Sequence, residues 1–168
     1  MGTTLKLRLR PNVPMSCIQA LPLVCSLGIS DAMPGSSVMW PHGVFSAGRR
    51  VVGVGTRGGY DEGMYVDLAV SLADDVDENA IRDAVVARVD QWAEAISQGR
   101  GAAGPLAPVL DELFDRTLNM GNEVDVFYPN GRRILHGVFC GLDVWGRATV
   151  RDPLGRPREF APEQALIR

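Results

Sequence analysis

Two adjacent arginines, Arg49 and Arg50, open the apolar run Val51-Val52-Gly53-Val54, shortly after Trp40-Pro41-His42. A guanidinium is always charged and presents a rigid fork of donors, so a pair of them at a strand start is chemistry suited to holding an anion. Gly53, inside the run, marks a place where another backbone or a ligand comes close. His42, Arg50 and Asp67 together would make a small polar cluster on one face of a pocket. A metal needs more ligands than the two histidines and three unspaced cysteines offer, so no metal site is expected. His42 then reads as a hydrogen-bonded structural group, and so does His136, which lies in a strand-like segment. Asp61 and Glu62 read as a solvated carboxylate pair in a glycine-rich loop. Of 17 basic residues only Lys6 is lysine, so a mechanism that needs a catalytic lysine has almost no candidate. The plainer reading of the arginines is an exposed hairpin with solvated charges, and the residues alone leave both open.

These groups need elements to position them. The stretch Ser36–Gly55 reads as a β-hairpin: an apolar run interrupted by Trp40-Pro41, a turn at Ala47-Gly48, and a return through Arg49–Val54. Pro41 cannot donate to a ladder and belongs at a strand end or bulge. Thr4–Arg10 alternates apolar and polar residues, the pattern of a half-buried strand. Met15–Met33 reads as mostly helix with a start or boundary at Pro22, whose ring would cost about 3 kcal/mol inside a helix. Arg57–Gly63 is a glycine-rich turn without the Gly-Lys-Ser/Thr ending of a phosphate loop. Met64–Leu72 is the next strand, with Tyr65, Asp67, Ala69 and Ser71 on one face. Asp74–Asn79 is an acidic helix start, and Ile81, Val85, Val89, Trp92 and Ile96 carry that helix to about Gln98. A second helix starts at Pro105 or Pro108, turns Val109, Leu110, Leu113, Phe114 and Leu118 inward, and closes at Asn119-Met120-Gly121. From Gly121 the pattern changes to short strands with a hairpin signal at Pro129-Asn130-Gly131, which predicts a small barrel.

The 168 residues support one domain, or a medium domain plus a small one. Hydrophobic content of 46% and charge of 22% are ordinary for a soluble protein. A net charge of −3 argues against general nucleic-acid binding. No run reaches about 18 apolar residues and no leader with a cleavage site stands out, so no membrane role is expected. Free thiols at Cys17, Cys25 and Cys140 then fit a cytoplasmic protein.

Two motifs carry a resemblance. Met39-Trp40-Pro41-His42-Gly43, followed by Gly48-Arg49-Arg50-Val51-Val52-Gly53-Val54, resembles the paired motif of biotin protein ligases. That family reads Lys-Trp-Pro-Asn-Asp, then Gly-Arg-Lys-hydrophobic-Ala-Gly-Ile. Met39 replaces the first Lys, His42 and Gly43 replace Asn-Asp, and Arg50 stands at the second Lys. On the following strand the family has Gly-hydrophobic-Gly-hydrophobic-Asn, where Asp67, Ala69 and Ser71 stand here. The ordered series Gly121, Val124, Gly137, Gly141-Leu142-Asp143 and Gly146 resembles the family's SH3-like C-terminal domain. Gly99-Arg100-Gly101 lies between helices and is not the biotin-loop Gly-Arg-Gly-Arg, which has no counterpart here.

The resemblance implies an α+β fold: a mixed β-sheet with packed helices, part of a class II synthetase or biotin-ligase-like catalytic domain, over 1–120, and an SH3-like barrel over 121–168. It places Trp40, His42, Arg50, Gly53, Asp67 and Ser71 in a degenerate nucleotide and biotin pocket. A carboxylate at Asp67 and an added Cβ at Ala69 would crowd and repel an adenylate. With the lysine, the asparagine and the arginine loop missing together, no residue is expected to be catalytic. The expected function is an inactive ligase-like protein acting as a binding, regulatory or assembly module. No cofactor is expected, with biotin and ATP the ligands if any binding is retained. The alternative is one half of a split biotin-[acetyl-CoA-carboxylase] ligase whose partner chain supplies the biotin loop. The strand Leu5–Arg10, as the first element, would leave an open sheet edge favouring a protein partner or a homo-oligomer. A biotin carrier protein is a further candidate partner; DNA is not, because no helix-turn-helix precedes the strand.

Overall fold

The computed structural model describes residues 2–168. Strand β1 (Thr3–Leu9) is followed by a 3-10 turn at Met15–Ala20 and by helix α1 (Leu21–Asp31). Strands β2 (Ser37–Met39), β3 (Gly43–Ser46), β4 (Arg49–Tyr60) and β5 (Met64–Leu72) come next. Helix α2 (Glu78–Ser97), a 3-10 turn at Ala107–Val109 and helix α3 (Leu110–Arg116) complete the first part. The rest is β: β6 (Glu123–Phe127), β7 (Arg133–Leu142), β8 (Ala148–Arg151), β9 (Pro157–Phe160) and β10 (Leu166–Ile167).

The first sheet has the order β1-β5-β4-β3-β2. Period-two alternation turns Leu5, Leu7, Val66, Leu68, Val70 and Leu72 toward the helices and the polar residues outward. Helix α1 lies on this inner face, with α2 and α3 against its other side. Covered on all sides, it is apolar on all sides: nine of its residues, from Leu21 to Ser30, are buried. Pro22 sits in its first turn, where a missing N–H costs nothing. Helix α2 is amphipathic, burying Ile81, Val85, Val89, Trp92 and Ala95. The Asp77 carboxylate caps it, accepting from the Asn79 N–H at 3.0 Å and the Ala80 N–H at 3.3 Å. Arg88 of α2 ties the helical layer together. Its guanidinium donates to Asp31 at 2.9 Å and to Glu112 at 3.0 Å, and Arg116 pairs with Asp31 as well.

The second sheet has the order β10-β6-β7-β8-β9. Its inner residues Val124, Val126, Phe139, Val150, Phe160 and Ile167 belong to one cluster of buried apolar side chains that runs through both sheets. Backbone bonds tie the segments flanking α3 to both sides: Leu106 N–H donates to Val144 O, in the loop after β7, at 2.9 Å, and Leu118 N–H donates to Val38 O of β2 at 2.8 Å.

Four expectations are corrected. The sheet is antiparallel throughout rather than mixed, because β2 to β5 are joined by successive turns and β1 pairs antiparallel with β5. The Ser36–Gly55 hairpin is a three-stranded meander: Trp40-Pro41-His42 is itself a turn, with a cis Trp40–Pro41 peptide, that pairs β2 with β3. The glycine-rich stretch is mostly strand, since β4 runs to Tyr60 in register with β5 and only Asp61–Gly63 turns. Helix α3 ends at Arg116 and leaves Phe114 exposed. The last five strands form a sheet whose edge strands, β10 and β9, are not paired with each other among the described residues.

Candidate functional site

The outer face of the first sheet carries the chemistry. Antiparallel register lines up its residues in rows across the strands. One row is Thr4, Ser71, Gly53 and Gly43; the next is Lys6, Ala69 and Gly55; the third is Arg8, Asp67 and Arg57. Beyond these stands Tyr65 beside Gly59. Rows on one face are about 6.8 Å apart, twice the rise per residue, so Ser71 and Asp67 are separated by roughly 13 Å. Of the six residues grouped from the sequence, Gly53 and Ser71 therefore stand at one end of the face and Asp67 at the other.

At one end a bulge in β4 puts the extra residue Val51 between the pairs Phe45–Arg50 and Val44–Val52. Beside it, Arg50 folds back across the Gly43–Gly53 pair. Its Nε–H donates weakly to Val52 O at 3.3 Å, and a Cβ on Gly53 would collide with its guanidinium. Gly53 is thus required for the arginine to lie flat. Arg50 makes no salt bridge among the described residues. It borders a cavity of about 270 Å³ lined also by Trp40, Pro41, His42, Gly43 and Arg168. The His42 Nδ1 is buried there and has no hydrogen-bond partner among the described residues, contrary to the hydrogen-bonded histidine expected from sequence. Burial lowers the pKa of His42, and the neighbouring Arg50 charge lowers it further. Trp40 is almost wholly buried, and its indole N–H donates to Gly146 O at 2.9 Å in the turn before β8. It clamps the two sheets together.

At the other end Asp67 is fully engaged. Arg8 grips it through two donors, at 2.7 and 2.8 Å, and the Arg8 guanidinium stacks 3.8 Å above the Tyr65 ring. The hydrogen bonds and charge of Arg8 hold the Asp67 carboxyl below its ordinary range. Arg10 does the same to Asp61 at 2.8 and 2.9 Å, pushing it down to about 2. Asp67 therefore does not join His42 and Arg50, and Asp61 is ion-paired rather than simply solvated. Sequence reasoning missed Arg8 and Arg10; the signal was available, since β1 alternates and its polar residues must face the neighbouring strand's. His136 contacts Asp125 at 3.0 Å on the second sheet, far from these groups in sequence. Among the described residues no group of three or more His, Cys, Asp and Glu is placed to hold a metal, and no helix is long and apolar enough to cross a membrane.

No family model and no curated protein matches the sequence. Solved structures do. The chain superimposes on apo biotin protein ligase from Aquifex aeolicus with a TM-score of 0.72 at 18% identity, covering 99% of this chain and 82% of that one. The complex of that enzyme with biotin and ATP gives 0.73 at 18% identity, over 99% and 78%. A biotin protein ligase-like protein of unknown function from Silicibacter sp. TM1040 gives 0.65 at 19% identity, over 95% and 78%. Over nearly its full length, this chain has the biotin protein ligase fold.

Proposed function

We propose that the chain is a biotin-ligase-fold protein that does not activate a carboxylate with ATP, and that it acts as a binding or assembly module. It comprises a degenerate catalytic unit over 1–120 and an SH3-like unit over 121–168. The observation that carries this reading is the state of the outer sheet face. Forming an acyl-adenylate requires fixed positive charge at the α-phosphate and a clear strand surface for the adenylate to lie on. Here Arg50 is folded onto its own strand pair, and Arg8 and Asp67 close the far end as an ion pair. The single lysine, Lys6, stands on β1 rather than at the arginine position. Removing one placed donor from such a site costs about 2.7–4 kcal/mol in the barrier, and several positions differ together.

Calorimetric titration with biotin and with ATP, separately, tests the reading. The expected result is no binding tighter than millimolar for the pair. Micromolar binding of both would overturn it.

The open edge of the first sheet favours a second reading, a split ligase. Among the described residues strand β1 pairs on one side only, over seven residues without a bulge, and its partner could be a strand from another chain. Restoration of ATP-dependent biotinylation on mixing with a chain that carries the biotin loop would establish that reading in place of the first.

A further inference from the structure

A cavity of about 760 Å³ forms an open trough on the outer face of the first sheet. Its floor is Gly55 and Ala69, cross-strand neighbours. Nothing in the fold demands a small residue at Gly55. Its φ is ordinary, and a Cβ there would meet only the Ala69 carbonyl oxygen, at 3.8 Å. The other outward glycines of this strand differ: Gly53 makes room for Arg50, and Gly59 makes room for the Tyr65 ring. Glycine in a strand interior costs about 0.5–1 kcal/mol, so an open floor that the fold does not need requires another reason.

The walls supply one. Lys6 stands on one side of the floor and Arg57 on the other, diagonally across β5. Neither has a carboxylate within salt-bridge distance among the described residues, whereas Arg8 and Arg10, the other cations at this end of the face, are matched with Asp67 and Asp61. The Arg8–Asp67 pair that also lines the trough cancels, leaving Lys6 and Arg57 as its net positive charge, with Asp67 directly across from Arg57 and feeling its charge. Across two strand spacings and one row, the Cα atoms of Lys6 and Arg57 lie roughly 12 Å apart, and two long side chains reach inward over that gap.

We propose that this trough binds a small dianion, a dicarboxylate or a phosphate ester, lying flat on Gly55 and Ala69 with Lys6 and Arg57 each holding one end of its charge. This rests on the reading of the chain as a binding module and names its ligand class. The ion-paired Arg8 closes the third side and is locked by Asp67 and Tyr65, so it shapes the trough while its own charge is spent.

The test is calorimetric titration at low salt with glutarate and with inorganic phosphate as separate probes, on the intact chain and on three variants. Binding of either probe is expected, and the better one assigns the ligand's acid group. Lys6→Gln and Arg57→Gln should each weaken it about tenfold, the loss of one charge-assisted contact. Gly55→Val should abolish it while leaving the melting temperature unchanged or higher, since valine suits a strand and its Cβ meets nothing closer than 3.8 Å. Absence of binding by both probes overturns the proposal, as does undiminished binding by Gly55→Val, which would place the anion elsewhere, at Arg50 for example. Those outcomes leave the non-adenylating reading intact; that reading fails only if biotin and ATP are bound or consumed, whatever the dianions do.

Discussion

Trp40→Phe separates a structural clamp from a ligand-stacking residue. In the biotin-ligase-like motif this tryptophan was placed in the pocket, yet it is 2% exposed and its indole N–H donates to Gly146 O at 2.9 Å. Phenylalanine keeps an aromatic ring in the site and removes the donor. The Gly146 carbonyl, in a buried residue, is then left unsatisfied, at about 1–3 kcal/mol. The ring atoms that are lost leave a void between the sheets, adding on the order of 1 kcal/mol. The sum is about 2–4 kcal/mol, which for a chain this long lowers the melting temperature by roughly 4–16 °C. Urea unfolding followed by far-ultraviolet circular dichroism reads the change in midpoint, and tryptophan fluorescence reads whether both sheets melt together. Because one apolar cluster runs through both sheets, the two probes should stay coincident. A loss under about 0.5 kcal/mol would refute the clamp, since a surface residue changes stability by no more than that.

Three other outcomes follow from the geometry. Arg88→Met removes the cation shared by Asp31 and Glu112; with Arg88 only 10% exposed but its partners 35% and 43% exposed, the loss should be about 1–3 kcal/mol by urea unfolding. His42 titrates below its ordinary value when folded, so the unfolded chain takes up the proton first as pH falls through about 6.5. Stability should therefore fall from pH 7 toward the folded pKa and then level off, and His42→Gln should flatten that segment of the urea midpoint against pH; an unchanged slope would show that His42 is not its source. Burial pushes the Cys25 thiol up to about 12, whereas Cys140 is exposed, so a thiol reagent at pH 8 should modify Cys140 in the native protein and Cys25 only after unfolding.

The strands were the most legible part of the sequence. Thr4–Arg10 and Met64–Leu72 alternate strictly, because each has one face on a core and one in water. Helix α2 was legible for the same reason at a different period, and its end near Gln98 matches Ser97. The meander was not, because nothing local shows that the Trp40-Pro41-His42 turn pairs β2 with β3. The glycines of β4 misled: Gly58-Gly59 looked like a flexible connector, but the register with β5 holds them in the ladder, and Gly59 is small because Tyr65 lies over it. At the site, Arg50 and Gly53 are neighbours in space as well as in sequence. Asp67 was assigned to the wrong partner because its true one, Arg8, lies 59 positions away and is brought alongside only by the β1–β5 pairing. The unpartnered His42 Nδ1 has no signature in sequence at all, since it depends on how the second sheet closes against the turn.

The central claim is that this ligase fold does not carry out adenylate chemistry. Exchange of labelled pyrophosphate into ATP, measured with biotin present and magnesium supplied, addresses it most directly. The account predicts exchange no faster than without protein. Biotin-dependent exchange above that background, abolished by Arg50→Ala, would contradict it.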